Sequence, residues 1–196
     1  MHTPTREEAL ALFKEYNKSE SLLKHALAVE AVMRYMARKR GHDEDKWGVI
    51  GLVHDIDYEK YPEEHPNHTR EILEPHEWPE EYIRAILSHA WGIRTDVEPE
   101  HEMEKVLYAI DELTGLVTAV ALVRPSKSLA DVKPKSVRKK WKDKSFAAGA
   151  DRDVIQDGAE RLGVELGELF ADVIAGMQEA ASELGLDGSL ASAETA

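Results

Sequence analysis

Apolar side chains recur along this chain at the helical period over most of its length, and the runs break at glycine, proline and small polar residues. Thr5 followed by Arg6, Glu7 and Glu8 reads as a capped helix start, and Leu10, Phe13 and Tyr16 follow at amphipathic spacing. Over residues 21–40, Leu22, Leu23, Ala26, Val29, Val32, Met33 and Met36 form a second stripe that Gly41 ends. Asp43 or Glu44 starts a third helix carrying Trp47, Ile50, Gly51 and Val53 into His54. Pro62 and Pro66 then make residues 57–67 a loop. Further helices are predicted over 68–73, 79–91 and 102–122, and two more over 151–162 and 165–184, joined near Gly163. No alternating strand pattern stands out, so the expected fold class is all-α.

Three stretches of different character follow from this pattern: a core over 1–123, a basic segment with C-terminal helices over 124–184 packing on the same domain, and a small, polar tail over 185–196 expected to be disordered. A chain of 196 residues supports one substantial core. The net charge of -13 excludes a general nucleic-acid-coating protein, which needs a surplus of Lys and Arg. The absence of Cys removes disulfides, thiolate metal sites and a cysteine nucleophile, leaving His, Asp and Glu for metal chemistry. Neither a basic-then-apolar leader nor an apolar run near 20 residues is present, so no membrane association and a cytoplasmic location are expected.

Several titratable residues sit where the pattern calls for apolar ones. His25 shares a stripe with Val29, Val32 and Met36 and points inward. Alone, it also reads as a core histidine bonded to a backbone carbonyl. His54 falls on the apolar side of its helix after Trp47 and Ile50, with Asp55 at the helix end. A histidine on a helix C-terminus explains that pair too. His89 lies on the Tyr82, Ile86 stripe, and Asp111 stands in the middle of the apolar run from Val106 to Val117. A buried mid-helix carboxylate needs a cation or a strong hydrogen-bond partner, whether an arginine or a metal. Together these residues make a metal constellation of nitrogen and oxygen ligands. His2, His42, His76 and His101 match no inward stripe and read as surface residues.

The order His25, His54-Asp55, His89 and Asp111, set in Gly51-Leu52-Val53-His54-Asp55-Ile56-Asp57, Ala85-Ile86-Leu87-Ser88-His89 and Ala109-Ile110-Asp111-Glu112-Leu113, resembles the HD-domain metal-dependent phosphohydrolase superfamily. The resemblance spans residues 20–125 and extends more loosely, through the basic segment, to small bacterial HDIG-type proteins. It implies a helical bundle around one or two divalent ions (Mn, Fe, Co, Ni, Zn or Mg), the first held by His25, His54, Asp55 and Asp111. His65 and His89 would hold the second, with His68 in reserve for His65. Asp55, His65 and His89 are the implied catalytic residues, the histidines alternatively binding phosphate and protonating the leaving group. Where the HDIG subgroup has glycine and lysine after His-Asp-Ile, this chain has Asp57 and Tyr58. Asp57 is a candidate base or a hydrogen-bond partner for a ligand histidine.

The implied activity is hydrolysis of a small phosphorylated metabolite, a nucleotide being the first candidate, by a metal-activated water. Two other classes share this ligand set: a mixed-valent di-iron oxygenase of the HD fold, and a non-catalytic metal- or nucleotide-binding regulatory module. Lys127, Lys133 and Arg138 in the basic segment are candidates for holding substrate phosphate. Reaching the pocket would require folding back, since Arg124 lies about 20 Å along the helix from Asp111.

Overall fold

The computed structural model describes residues 3–194, so His2 and residues 195–196 lie outside it. The order is α1 (Arg6–Tyr16), α2 (Glu20–Arg40), α3 (Glu44–Val53), α4 (Thr69–Leu73), α5 (Glu80–Ser88), α6 (Glu102–Leu122), α7 (Pro134–Trp141), α8 (Arg152–Leu162), α9 (Leu166–Glu179), α10 (Ala181–Leu184) and α11 (Ser189–Glu194). Short 3-10 turns occupy Glu74–His76 and Leu129–Asp131, and the described residues contain no strand, so the fold is all-α. None of these helices is long and apolar enough to cross a membrane.

Local chemistry fixes the ends. Thr5 and Glu8 form a reciprocal capping box on α1. Ser19, Asp43 and Asp151 cap α2, α3 and α8 with side-chain oxygens. Gly41 at φ 76° and Gly163 at φ 67° end α2 and α8 in the left-handed region.

Helix α2 lies at the centre, packed on α3, α6 and α9, while α8 lies along α6. Two glycines permit the closest approaches. A Cβ on Gly51 would stand 2.9 Å from Met33 Cγ of α2 and 3.2 Å from the Val29 carbonyl oxygen, so its bare backbone lets α3 press its C-terminus, and therefore His54, against α2. A Cβ on Gly158 of α8 would stand 2.5 Å from Ala109 Cα of α6, a contact no rotamer relieves. Gly158→Val is therefore expected to cost at least about 3 kcal/mol. Its melting temperature should fall by roughly 6–12 °C. A variant melting within 2 °C or so of the parent would show that the α6–α8 contact is loose.

Three sequence expectations change. Residues 124–144 are more than a basic face: Leu129, Val132 and Val137 are fully buried beneath a 3-10 turn and α7. The helix expected over 165–184 is interrupted at Ala180, between α9 and α10. Within the tail expected to be disordered, Leu186 is buried and its carbonyl accepts from Leu129 N at 2.8 Å, with α11 following, while residues 195–196 lie outside the described residues. A single leucine does this, and averaging over a small, polar segment hides it.

Candidate metal centre

Six side chains from five segments meet at one end of the bundle. α2 presents His25, the end of α3 presents His54 and Asp55, the loop after it His65, the end of α5 His89, and the middle of α6 Asp111. His25 Nε2 and His54 Nε2 lie 2.9 and 3.2 Å from Asp111 Oδ1, and 3.5 and 3.4 Å from Asp55 Oδ2. The other oxygen of Asp55, Oδ1, stands 3.1 Å from His65 Nε2 and 3.8 Å from His89 Nε2. Asp55 thus divides its two oxygens between two clusters, His25 and His54 on one side and His65 and His89 on the other, each with the spacing of a ligand set.

Each histidine has its outer nitrogen fixed by an acceptor. His54 Nδ1 donates to the Gly51 carbonyl at 2.8 Å, and His89 Nδ1 donates to the Ile86 carbonyl at 2.5 Å. His65 Nδ1 donates to Asp57 Oδ1 at 2.6 Å. His25 Nδ1 faces Thr114 Oγ1 at 3.4 Å, and that hydroxyl spends its own proton on the Asp111 carbonyl at 2.7 Å. All four Nε2 atoms are therefore left as acceptors aimed at one volume. His25 and His54 bring theirs within 3.2 Å of each other, and His65 and His89 within 3.1 Å. Facing lone pairs at that distance repel unless a proton or a metal cation stands beside them, so the donor set fits a divalent ion.

Protons are what hold the array otherwise. Burial opposes charge on His25, His54 and His65, but the carboxylates of Asp55, Asp111 and Asp57 outweigh it and raise all three, His65 to about 9. Burial, with the neighbouring His65, pulls His89 down to about 4. Burial alone would raise Asp55 and Asp111, yet the facing imidazoles hold both well below the usual carboxylate range.

The linkage follows from these directions. His65, raised in the fold above an unfolded value near 6.5, contributes stability that is present below about pH 6.5 and lost as pH rises to about 9. His89, depressed, makes the folded state refuse a proton that the unfolded chain accepts, so stability falls as pH drops from about 6.5 to about 4. Metal-free protein should be most resistant to urea near pH 6, with a loss on the order of 3 kcal/mol by pH 9. A midpoint rising steadily to pH 9 would contradict the proton-held array.

The cluster opens into a cavity of about 580 Å³. Besides the ligand candidates its walls include Tyr58, Ile93, Arg94, Glu112 and the segment around Ala147 and Ala150. Glu112, beside Asp111, is raised to about 7 by burial first and by that neighbour second. The segment over 143–150 is pinned by the buried guanidinium of Arg152, which donates to the carbonyls of Ala147 at 2.7 Å and of Ala150 and Phe146 at 2.5 Å.

Of the residues singled out from sequence, His25, His54, Asp55, His65, His89 and Asp111 are brought together. Asp57, fully buried, is the partner of His65 and also accepts from His68 N at 3.0 Å. His68 itself turns outward, bonded to Glu64 and Glu71 and stacked on Tyr61, so it is no substitute for His65. Lys127, Lys133 and Arg138 do not line the cavity. The basic segment runs on past α6 to pack with α9, and Arg138 lies against Gly167. The cation at the cavity is Arg94, five residues after His89, and sequence reasoning passed over it because a turn carries no periodicity. His42, His76 and His101 are exposed.

Comparison with known proteins agrees with this geometry. The family model described as HD domain matches residues 22–116, the span that contains all six clustered side chains. No curated protein and no solved structure matches the chain. With the family's segment and the convergent His and Asp side chains coinciding, residues 22–116 of this chain form an HD domain.

Proposed function

We propose that this protein is a metal-dependent phosphohydrolase acting on a small phosphorylated metabolite, with a nucleotide as first candidate. The observation that supports it above the rest is the split engagement of Asp55, one oxygen toward His25 and His54 and the other toward His65 and His89. Asp55 would thereby belong to both ligand sets. The HD-domain superfamily, largely metal-dependent phosphohydrolases, supplies the reaction class. A divalent ion held there lowers the pKa of water toward neutrality and polarises a phosphoryl oxygen.

The protein's own part is positional. His25, His54, Asp55 and Asp111 would hold the first ion, and His65 and His89 a second. The backbone carbonyls of Gly51 and Ile86 and the Asp57 carboxylate keep the rings of His54, His89 and His65 turned with Nε2 inward. Arg94 at the cavity wall is placed to draw phosphate in. Burial of His54, Asp55, His65 and His89 withholds bulk water from competing at the ligand atoms.

Metal analysis of protein purified without added metal, followed by phosphate release from a panel of phosphorylated metabolites with Mn²⁺, Co²⁺, Ni²⁺ and Mg²⁺, tests the reading. Two irons with turnover that depends on O₂ would replace it with the oxygenase. Asp57→Asn carries a narrower expectation: His65 loses its orienting charge, and affinity for the second ion should fall by roughly 10–100-fold while the first is retained. Metal titration followed by calorimetry reads the two steps separately.

A further inference from the structure

The metal ligand candidates account for part of the cavity lining and leave the rest to be explained. Most of that remainder is apolar: Tyr58 and Pro62 from the loop after α3, Ile93 from the turn after α5, and Ala147, Ala150 and Val154 from the region around the start of α8. Tyr58 and Ile93 remain 41% and 56% exposed, so two of the large hydrophobic side chains this molecule shows to solvent belong to the same cavity. Arg94 is the single Lys or Arg among the residues lining it, and its guanidinium is anchored on the Glu63 carbonyl. Glu112 contributes a carboxyl to the wall, not a second cation.

We infer that the cavity takes a phosphate monoester with one phosphate and an apolar or flat aromatic body. The phosphate lies between the ligand cluster and Arg94, and the body lies against Tyr58, Ile93 and the Ala147 to Ala150 wall. A diphosphate or triphosphate brings further charges that need further cations, and this wall offers a carboxyl instead. A small polyol phosphate would leave its hydroxyls facing hydrocarbon, unpaired. An apolar body covers Tyr58 and Ile93 and gains from burial. This class assignment rests on the phosphohydrolase reading above.

The test separates the two. Full-length protein loaded with Mn²⁺ is titrated calorimetrically with naphthylmethylphosphonate, 3-hydroxypropylphosphonate and a methylene-bridged nucleoside triphosphate, none of which is hydrolysed. Phosphate release is measured in parallel from naphthyl phosphate, a prenyl phosphate, a nucleoside monophosphate, glycerol phosphate and a nucleoside triphosphate. The aryl phosphonate should bind at least about tenfold tighter than either other ligand. Ile93→Ser, at an exposed position that does not carry the fold, should reduce that preference to about threefold or less. Arg94→Gln should weaken both monophosphonates about tenfold and leave their ratio alone. The relative rates among aryl, prenyl and nucleoside esters then tell which body the wall receives.

Equal binding of the hydroxypropyl or triphosphate ligand, or an aryl preference untouched by Ile93→Ser, overturns the inference even if esters are hydrolysed. Aryl preference in binding without hydrolysis of any ester keeps the inference and removes the phosphohydrolase reading.

Discussion

Asp55→Asn protein is expected to release phosphate at least about a thousandfold more slowly than the parent, and to bind at most one of the two ions. Asparagine keeps the shape of the side chain and one acceptor oxygen, but places an uncharged amide where a second carboxylate oxygen faces a histidine pair. The position serves both clusters, at 3.4 and 3.5 Å on one side and 3.1 and 3.8 Å on the other, so one substitution damages both. The fold should survive, because Asp111 still faces His25 and His54 and Asp57 still faces His65, so each imidazole pair keeps a carboxylate that favours its proton. Circular dichroism and the metal content of the variant therefore separate a chemical effect from an unfolded one. Full metal content with more than a tenth of parental activity in a helical variant would remove Asp55 from the proposed chemistry.

The second large effect is on stability. With free metal at about a thousand times its dissociation constant, binding to the folded state alone adds about 4 kcal/mol. For a chain of this length that corresponds to a rise of roughly 8–16 °C in melting temperature. The rise should be steeper at pH 8 than at pH 6, since an imidazole raised to about 9 must give up its proton before it can ligate. Chelator should reverse the rise, and Asp111→Asn should abolish most of it. If none of Mn²⁺, Fe²⁺, Co²⁺, Ni²⁺, Zn²⁺ and Mg²⁺ shifts the transition, the convergent Nε2 atoms serve some other purpose.

What could be read in advance divides along a physical line. The stripe through Val29, Val32 and Met36 placed His25 indoors, and the apolar run around Asp111 made that carboxylate conspicuous, because burial leaves a periodic mark on a helix. α2 and α6 follow the expected residues almost to the ends. Loops leave no such mark. Arg94, Tyr58 and Ile93 come to the cavity through turns, and no spacing announces them. The same blindness made Lys127, Lys133 and Arg138 attractive: charge is visible in a sequence, but the direction in which a segment leaves a helix is decided by the apolar residues it has to bury. Here Leu129, Val132 and Val137 carry it toward α9. Asp57 was legible as chemistry and ambiguous as to role, and its hydrogen bond to His65 Nδ1 favours the orienting role over that of a base.

Arg152 gives the cavity wall an unusual kind of independence. The segment it grips is held through main-chain carbonyls, at Ala147, Ala150 and Phe146, and not through the side chains that face the cavity. It also lies outside residues 22–116, where every candidate ligand resides. The anchor therefore runs through no side chain at 147–150 and no candidate ligand, although Ala147 at φ 48° and the buried Ala150 accept few replacements. If the apolar wall selects the ester body, the exposed position 148 and its neighbours are where a small library would change selectivity while the reactive centre stays as it is.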